Sequence, residues 1–311
     1  MAQKPLSEIE YFLQHGDAIG FPATYDGRAY DLMMRGLQGQ LQTSQLMTDL
    51  SNKLTDLAKS YAGGRPDLLF YNSKPTEFPV LVKPFQSVKN KIYRLNCAWN
   101  RDFPLAPKKF KIVTKDNFLE HDKINDLFRT RLVCKYMDGP EFIALGIKDM
   151  CDEKNIEFRH YPMSTDNGYH SWHCYMKISG EILSGDEVAV RQIWLEIQIT
   201  TQLTELITGL THDLYGGTRN LSSSRSDTDW KWRPESQQFK ATYLGHTLHL
   251  LEGIIQTFRD DVLGINPNQS SANSKSLDGR TDETLDTDMM AYVPHPSSEQ
   301  TAEHGEGDQK S

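Results

Sequence analysis

Four short runs of this chain combine charged, hydroxyl and aromatic residues at spacings that packing alone does not demand. KPFQSVKNK places Lys83, Ser87 and Lys91 at successive four-residue steps. If a helix opens there, Ser87 and Lys91 share a face one turn apart, near an N-terminus that favours phosphate. The bland alternative is a solvated, lysine-rich helix start. In INDLFRTRLVC, Asp126 precedes an apolar strand that Arg131 opens. An acid at a strand mouth with a guanidinium beside it suits a magnesium-nucleotide site, the carboxylate for the hard cation and the arginine for phosphate or base. An N-cap aspartate and a surface ion pair would look the same.

The third run, DNGYHSWHCYM, has a tight turn at Asn167-Gly168 that presents Tyr169, after which Ser171 and His173 alternate with Trp172 and Cys174. A loop tyrosine can stack on a purine, and inward Ser and His are costly unless they meet a ligand or a hydrogen-bond partner. His173 fits either a ligand contact or a satisfied structural histidine. The fourth, WLEIQIT, puts Trp194, Glu196, Gln198 and Thr200 on one strand face and Leu195, Ile197 and Ile199 on the other. Glu196 and Gln198 amid such apolar neighbours are expensive to bury without purpose, unless that face meets solvent.

The elements that must position these residues follow from periodicity. Tyr30, Met33, Met34, Leu37 and Leu41, then Met47, Leu50, Leu54, Leu57, Ala58 and Tyr61, recur at helical steps, with a slip between Leu41 and Met47 and a stop at Gly63, Gly64 and Pro66. The proline-rich stretch 76–108 reads as turns around one short strand and a helix start. A strand over 131–136, a helix over 140–153 and strands over 156–162, 171–179 and 190–200 follow. Residues 201–215 return to helical period and end at Gly216-Gly217, 218–234 reads as a loop, and 235–262 as one more packed helix. The fold class is α/β, a mixed sheet flanked by helices. The domains expected are an N-terminal helical segment (1–66), a core (67–217), a loop and C-terminal helix on the core (218–264) and an acidic tail (265–311).

Composition sets the outer bounds. The 311 residues, 38% hydrophobic and 24% charged, suffice for a sizeable core. No apolar run reaches membrane length and no secretory signal opens the chain, so a cytoplasmic protein is expected. Cys97, Cys134, Cys151 and Cys174 form no C-x-x-C pair and are read as reduced and mostly buried. Of the net charge of -8, the tail from Ile265 contributes nine acidic against three basic residues, which leaves the remainder near neutral. Polar and aperiodic, that tail is expected to be disordered.

Taken in order, the blocks KPFQSVKNK, DLFRTR, NGYHSWH and EIQITT, with HDLY at 212–215, resemble the synthetase domain of the RelA/SpoT alarmone enzymes over roughly residues 80 to 216. The resemblance implies a nucleotidyltransferase-type sheet and an ATP-dependent transfer of the β,γ-diphosphate to a ribose 3′-hydroxyl. It implies ATP on Lys83, Ser87, Lys91 and Arg131, and Mg²⁺ on Asp126 and Glu196, with Glu196 also taking the hydroxyl proton. Tyr169 would stack on the acceptor base, with Ser171, His173, Gln198 and His212 around it. The acceptor would be GDP or GTP, or the 3′ end of tRNA as in toxin members, whose partners can include a neutralising antitoxin. A catalytically silent, nucleotide-sensing or partner-binding member is the alternative.

This sequence also departs from the family pattern. Leu81, Thr165 and Thr200 stand where basic residues are usual, and Arg129 where a glycine is. A histidine-aspartate hydrolase domain is not expected, since only about 80 residues precede the first block and such domains are larger. Basic patches for an RNA stem would be Lys108, Lys109 and Lys111, or Arg219, Arg225, Lys231 and Arg233.

Overall fold

The computed structural model describes residues 6–71, 79–165, 168–184, 187–218 and 229–265. Its first helix, α1 (Glu8–His15), starts at a reciprocal cap in which the Ser7 hydroxyl accepts from the Glu10 amide and the Glu10 carboxylate from the Ser7 amide. The periodic stretch 30–61 forms two helices, α2 (Arg28–Gln42) and α3 (Gln45–Ser60), rather than one with a slipped stripe. Ser44 is the reason. Its hydroxyl accepts from the Met47 amide at 3.3 Å and caps a new helix, which resets the apolar face. Met34, Leu37, Leu50 and Leu54 from the two helices then enter one core with the sheet.

That sheet has five strands, β1 (Leu81–Val82), β2 (Phe128–Cys134), β3 (Phe158–Ser164), β4 (His170–Ser184) and β5 (Glu187–Thr201), in the order β1-β2-β5-β4-β3. Only β2 and β5 run parallel, so the sheet is mixed, as expected. β2 begins three residues before the expected start, because Phe128 and Thr130 are buried in the ladder opposite Leu195 and Ile197. Arg131 therefore sits in mid-strand instead of opening it. β4 and β5 outrun the expected spans because they pair from Trp172↔Ile199 down to Ser184↔Glu187 as one long hairpin.

Between the strands lie α4 (Phe85–Tyr93) and α5 (Gly139–Glu153), followed by α6 (Gln202–Thr218) and α7 (Gln237–Leu263). Helix α5 closes one sheet face, with Ile143, Ala144, Ile147 and Met150 buried together with Leu195, Ile197, Ile199, Cys174 and Met176. Period-two alternation sends Arg129, Arg131, His173, Tyr175, Glu196 and Gln198 to the opposite face. The four cysteines are free and buried.

Helix α7 packs, as expected, but not through its large apolar residues. It packs through Ala241, Thr242, Gly245, Glu252 and Arg259, while Leu250, Leu251, Ile254, Ile255 and Phe258 are exposed. Its anchors are polar: Arg259 donates to both Asp138 oxygens, at 3.1 and 2.9 Å, and to the Tyr61 hydroxyl at 2.8 Å. No described helix is long and apolar enough to cross a membrane. Of the segment 218–234, residues 229–232 form a short 3-10 turn, and the tail from 266 onward lies outside the described residues.

Candidate active site

The first cluster is built where β1 meets β2. The Lys83 amide donates to the Leu127 carbonyl at 2.8 Å, which draws the chain after β1 beside the approach to β2 and brings Lys83 next to Asp126. Lys83 Nζ lies 2.6 Å from Asp126 Oδ2, and Lys91 Nζ, from α4, 2.8 Å from Oδ1. Burial opposes charge on Asp126, but the ammonium groups of Lys91 and Lys83 outweigh it and hold the carboxyl well below the usual carboxylate range. For Lys83 burial is the larger effect, and its pKa is lowered despite Asp126. Ser87, expected to point with Lys91 at phosphate, is exposed in the first turn of α4.

The second cluster spans the middle of the open face. Glu196 is 5% exposed, so its carboxylate is buried by its neighbours although Arg131 on the same face meets solvent. The Tyr175 hydroxyl donates to Glu196 Oε1 at 3.0 Å and Gln198 Nε2 to Oε2 at 3.1 Å, while His173 Nδ1 lies 3.1 Å from Oε1. The network continues outward on both sides. Arg131 donates to Gln198 Oε1 at 3.2 Å and to both oxygens of Glu205 on α6 at 2.8 Å, and Tyr161 donates to the Tyr175 hydroxyl at 3.0 Å. The Tyr169 hydroxyl meets His173 Nε2 at 3.2 Å, with the two rings edge to face.

Tyr169 is thus not presented without constraint. Its ring is preset by His173, and the turn before it uses Gly168 at φ 80°. Ser171 is buried one step along the same face. His212 falls on α6, but its side chain lies outside the described ones, as does Asn167.

Sequence reasoning missed Tyr175, Tyr161, Glu205 and the placement of Arg129. Tyr175 was within reach, since it follows His173 by two residues and must share its face. Glu205 was not, because nothing in the helical pattern of α6 aims it at a strand. Arg129 is the register partner of Glu196, and its charge is near enough to Lys83 to depress that ammonium further. It therefore stands between the two clusters. Its Nε is buried with no hydrogen-bond partner.

Of the basic candidates for an RNA stem, Lys108 pairs with Asp102 at 3.0 Å, Lys109 and Lys111 are exposed, and so are Lys231 and Arg233. Arg219 and Arg225 lie outside the described residues.

Residues 82–216 match the family model described as the region found in RelA / SpoT proteins. Solved structures similar to the chain include small alarmone synthetase 2 from Bacillus subtilis, at 15% identity over 74% of this chain and 97% of that one, with a TM-score of 0.45. Small alarmone synthetase 1 from Bacillus subtilis, bound to its product pppGpp, is 14% identical over 76% and 98%, with a TM-score of 0.48. A GTP pyrophosphokinase family protein from Streptococcus pneumoniae is 18% identical over 76% and 96%, with a TM-score of 0.46. No curated protein matches the chain. Structural likeness this distant carries no argument about substrate.

Proposed function

We propose, from the match of residues 82–216 to the RelA/SpoT family model, that the chain is an ATP-dependent pyrophosphokinase that moves the β,γ-diphosphate of ATP onto a ribose 3′-hydroxyl and releases AMP. One observation carries this reading: a buried carboxylate, Glu196, is surrounded by three polar groups, and its register partner Arg129 lies close to a lysine-aspartate-lysine cluster. Phosphoryl transfer asks the protein mainly for position and for charge against the moving oxygens. Lys83, Lys91 and Arg129 offer that charge, and Glu196 Oε1 is the atom to receive the hydroxyl proton, with His173 and Tyr175 fixing where it points.

Magnesium fits the donor set. It is bound by one or two carboxylates completed by substrate phosphates, and Asp126 is a strongly acidic carboxyl already flanked by groups that bind phosphate. When bound, the ion would supply positive charge that offsets that of the phosphates. Asp126 would hold it, with Glu196 as the second candidate. ATP phosphates would draw Lys83 and Lys91 off the carboxylate, so the pairs seen here keep Asp126 ionised and oriented until then.

Two acceptors suit this chemistry. A guanine nucleotide, GDP or GTP, follows from the family; a tRNA 3′ end is favoured by the uncharged residues at Thr165 and Thr200, which leave few cations for free acceptor phosphates. Incubation of the full chain with ATP labelled at the γ-phosphate and GDP, GTP or total tRNA tests both. Label in tRNA with release of AMP is the expected result, and label in GDP or GTP alone would move the acceptor to guanine nucleotides. No transfer to any of the three would overturn the enzyme and favour a nucleotide-sensing or partner-binding role.

A further inference from the structure

Outside both clusters, but on the same tight turn as Tyr169, lies a cavity of about 380 Å³ lined by Thr165, Trp230, Lys231, Thr242, Tyr243 and His246. Its volume falls in the range of about 300–1,000 Å³ usual for small-ligand sites. Thr165 joins it to the acceptor loop: its amide donates to the Tyr169 carbonyl at 3.0 Å, and its hydroxyl accepts from the Tyr169 amide at 3.3 Å. Helix α7 forms the other wall. Contact there is close enough that a Cβ on Gly168 would lie 2.7 Å from the Thr242 carbonyl oxygen.

The lining has a particular chemistry. Trp230 and Tyr243 offer aromatic faces, Tyr243 being 46% exposed, and Lys231 Nζ lies 5.7 Å from the Trp230 ring centroid. Thr165 and Thr242 add hydroxyls, and Arg233 is exposed two residues beyond Lys231. Aromatic faces interleaved with cations are what a single-stranded nucleic acid requires, since every base has a face to stack and every link a phosphate.

We infer that this cavity is a subsite for the nucleotide preceding the acceptor nucleotide at an RNA 3′ end, with its base against Trp230 and Tyr243 and its phosphate at Lys231. The inference rests on the tRNA reading above. Tyr169 and the cavity lie on the two sides of one turn, so two consecutive nucleotides of a strand bent around that turn would meet both. A free nucleotide would need only one of the two sides.

Calorimetric titration of the full chain without ATP, using the trinucleotide CpCpA, adenosine and CMP, tests this. CpCpA should bind about tenfold or more tighter than adenosine, Trp230→Ala should remove about tenfold from CpCpA alone, and Trp230→Phe should keep most of it. Lys231→Glu should weaken CpCpA and lower the slope of log affinity against log salt by about one. Adenosine binding should be the same in all three variants, which also shows that they fold. Equal affinity for CpCpA and adenosine, or equal loss of both in Trp230→Ala, would overturn the subsite. CMP binding as tightly as CpCpA would overturn it in favour of a free nucleotide. Since ATP is absent, those failures leave diphosphate transfer itself untouched, and a chain that transfers nothing can still be tested for the subsite.

Discussion

A glutamate buried in an apolar strand is costly unless hydrogen-bond partners reach it, and three groups surround the Glu196 carboxylate. Tyr175 is the one of the three that went unread in the sequence: two residues after His173, it had to share the face, yet tyrosine in a strand reads first as packing. Its hydroxyl donates to Glu196 and receives from Tyr161, and burial raises the pKa of both phenols, that of Tyr161 to about 12. Both therefore stay protonated donors at neutral pH. Tyr175→Phe removes a hydrogen bond to a charged group, which should cost about 1.5–3 kcal/mol of stability. With Glu196 less well aimed, kcat should fall about tenfold while KM for ATP stays near wild type. A change confined to KM would mean that Tyr175 acts on ATP binding and not on the base. Glu196, Gln198, Asp126 and the two lysines were legible because their types and spacing are anomalous. Arg129 was noticed only as a departure, since its place between the clusters depends on the parallel register of β2 and β5.

At the scale of elements, α7 bears most on the turn that carries Tyr169. Periodicity gave the span of α7 to within two residues, but small and polar residues pack while its large apolar residues are exposed. What decides the contact is Gly245, on which a Cβ would meet the Gly168 carbonyl oxygen at 2.7 Å. A helical glycine replaced by alanine usually gains about 1 kcal/mol; Gly209→Ala on α6, with open space around it, should show that gain. Gly245→Ala should instead lose stability and acceptor affinity, because α7 must back away from the turn carrying Tyr169. If both variants stabilise, as thermal unfolding would show, α7 does not hold the turn.

The same contact should depend on pH. His170, at the start of β4, stacks on His249 of α7 with ring centroids 3.7 Å apart, and His246 lies 5.7 Å from His170. Ser164 contacts the His170 ring at 3.1 Å, and a Glu252 oxygen lies 3.8 Å from His249. Burial first, then the neighbouring imidazoles, lowers the His170 pKa to about 4, and His249 is lowered too. The unfolded chain then binds protons at a higher pH than the folded one, so this contribution is complete above about pH 6.5 and is lost as pH falls toward 4. Glu252 would recover part of the loss through His249. Thermal unfolding across that window should show a decline that is flatter in His170→Phe, which keeps a ring in the stack but cannot titrate. Identical slopes would place the pH response elsewhere.

For the molecule as a whole, the sheet, the flanking helices and the likeness of residues 82–216 to the RelA/SpoT region were all readable from order and spacing. The cap at Ser44, the length of the β4–β5 hairpin and the face used by α7 were not, because each depends on a partner distant in sequence. On the proposed function, the aspartate-lysine cluster at the β1–β2 junction and the glutamate network on β5 serve a single transfer. The most direct test is AMP release from ATP in the presence of acceptor by wild-type chain and by Glu196→Gln, with thermal unfolding followed alongside. Glutamine keeps the shape and removes the proton acceptor, so AMP release should fall by about 10²–10⁴-fold while the unfolding midpoint moves by no more than a few degrees. Undiminished AMP release from a folded Glu196→Gln chain would contradict the account.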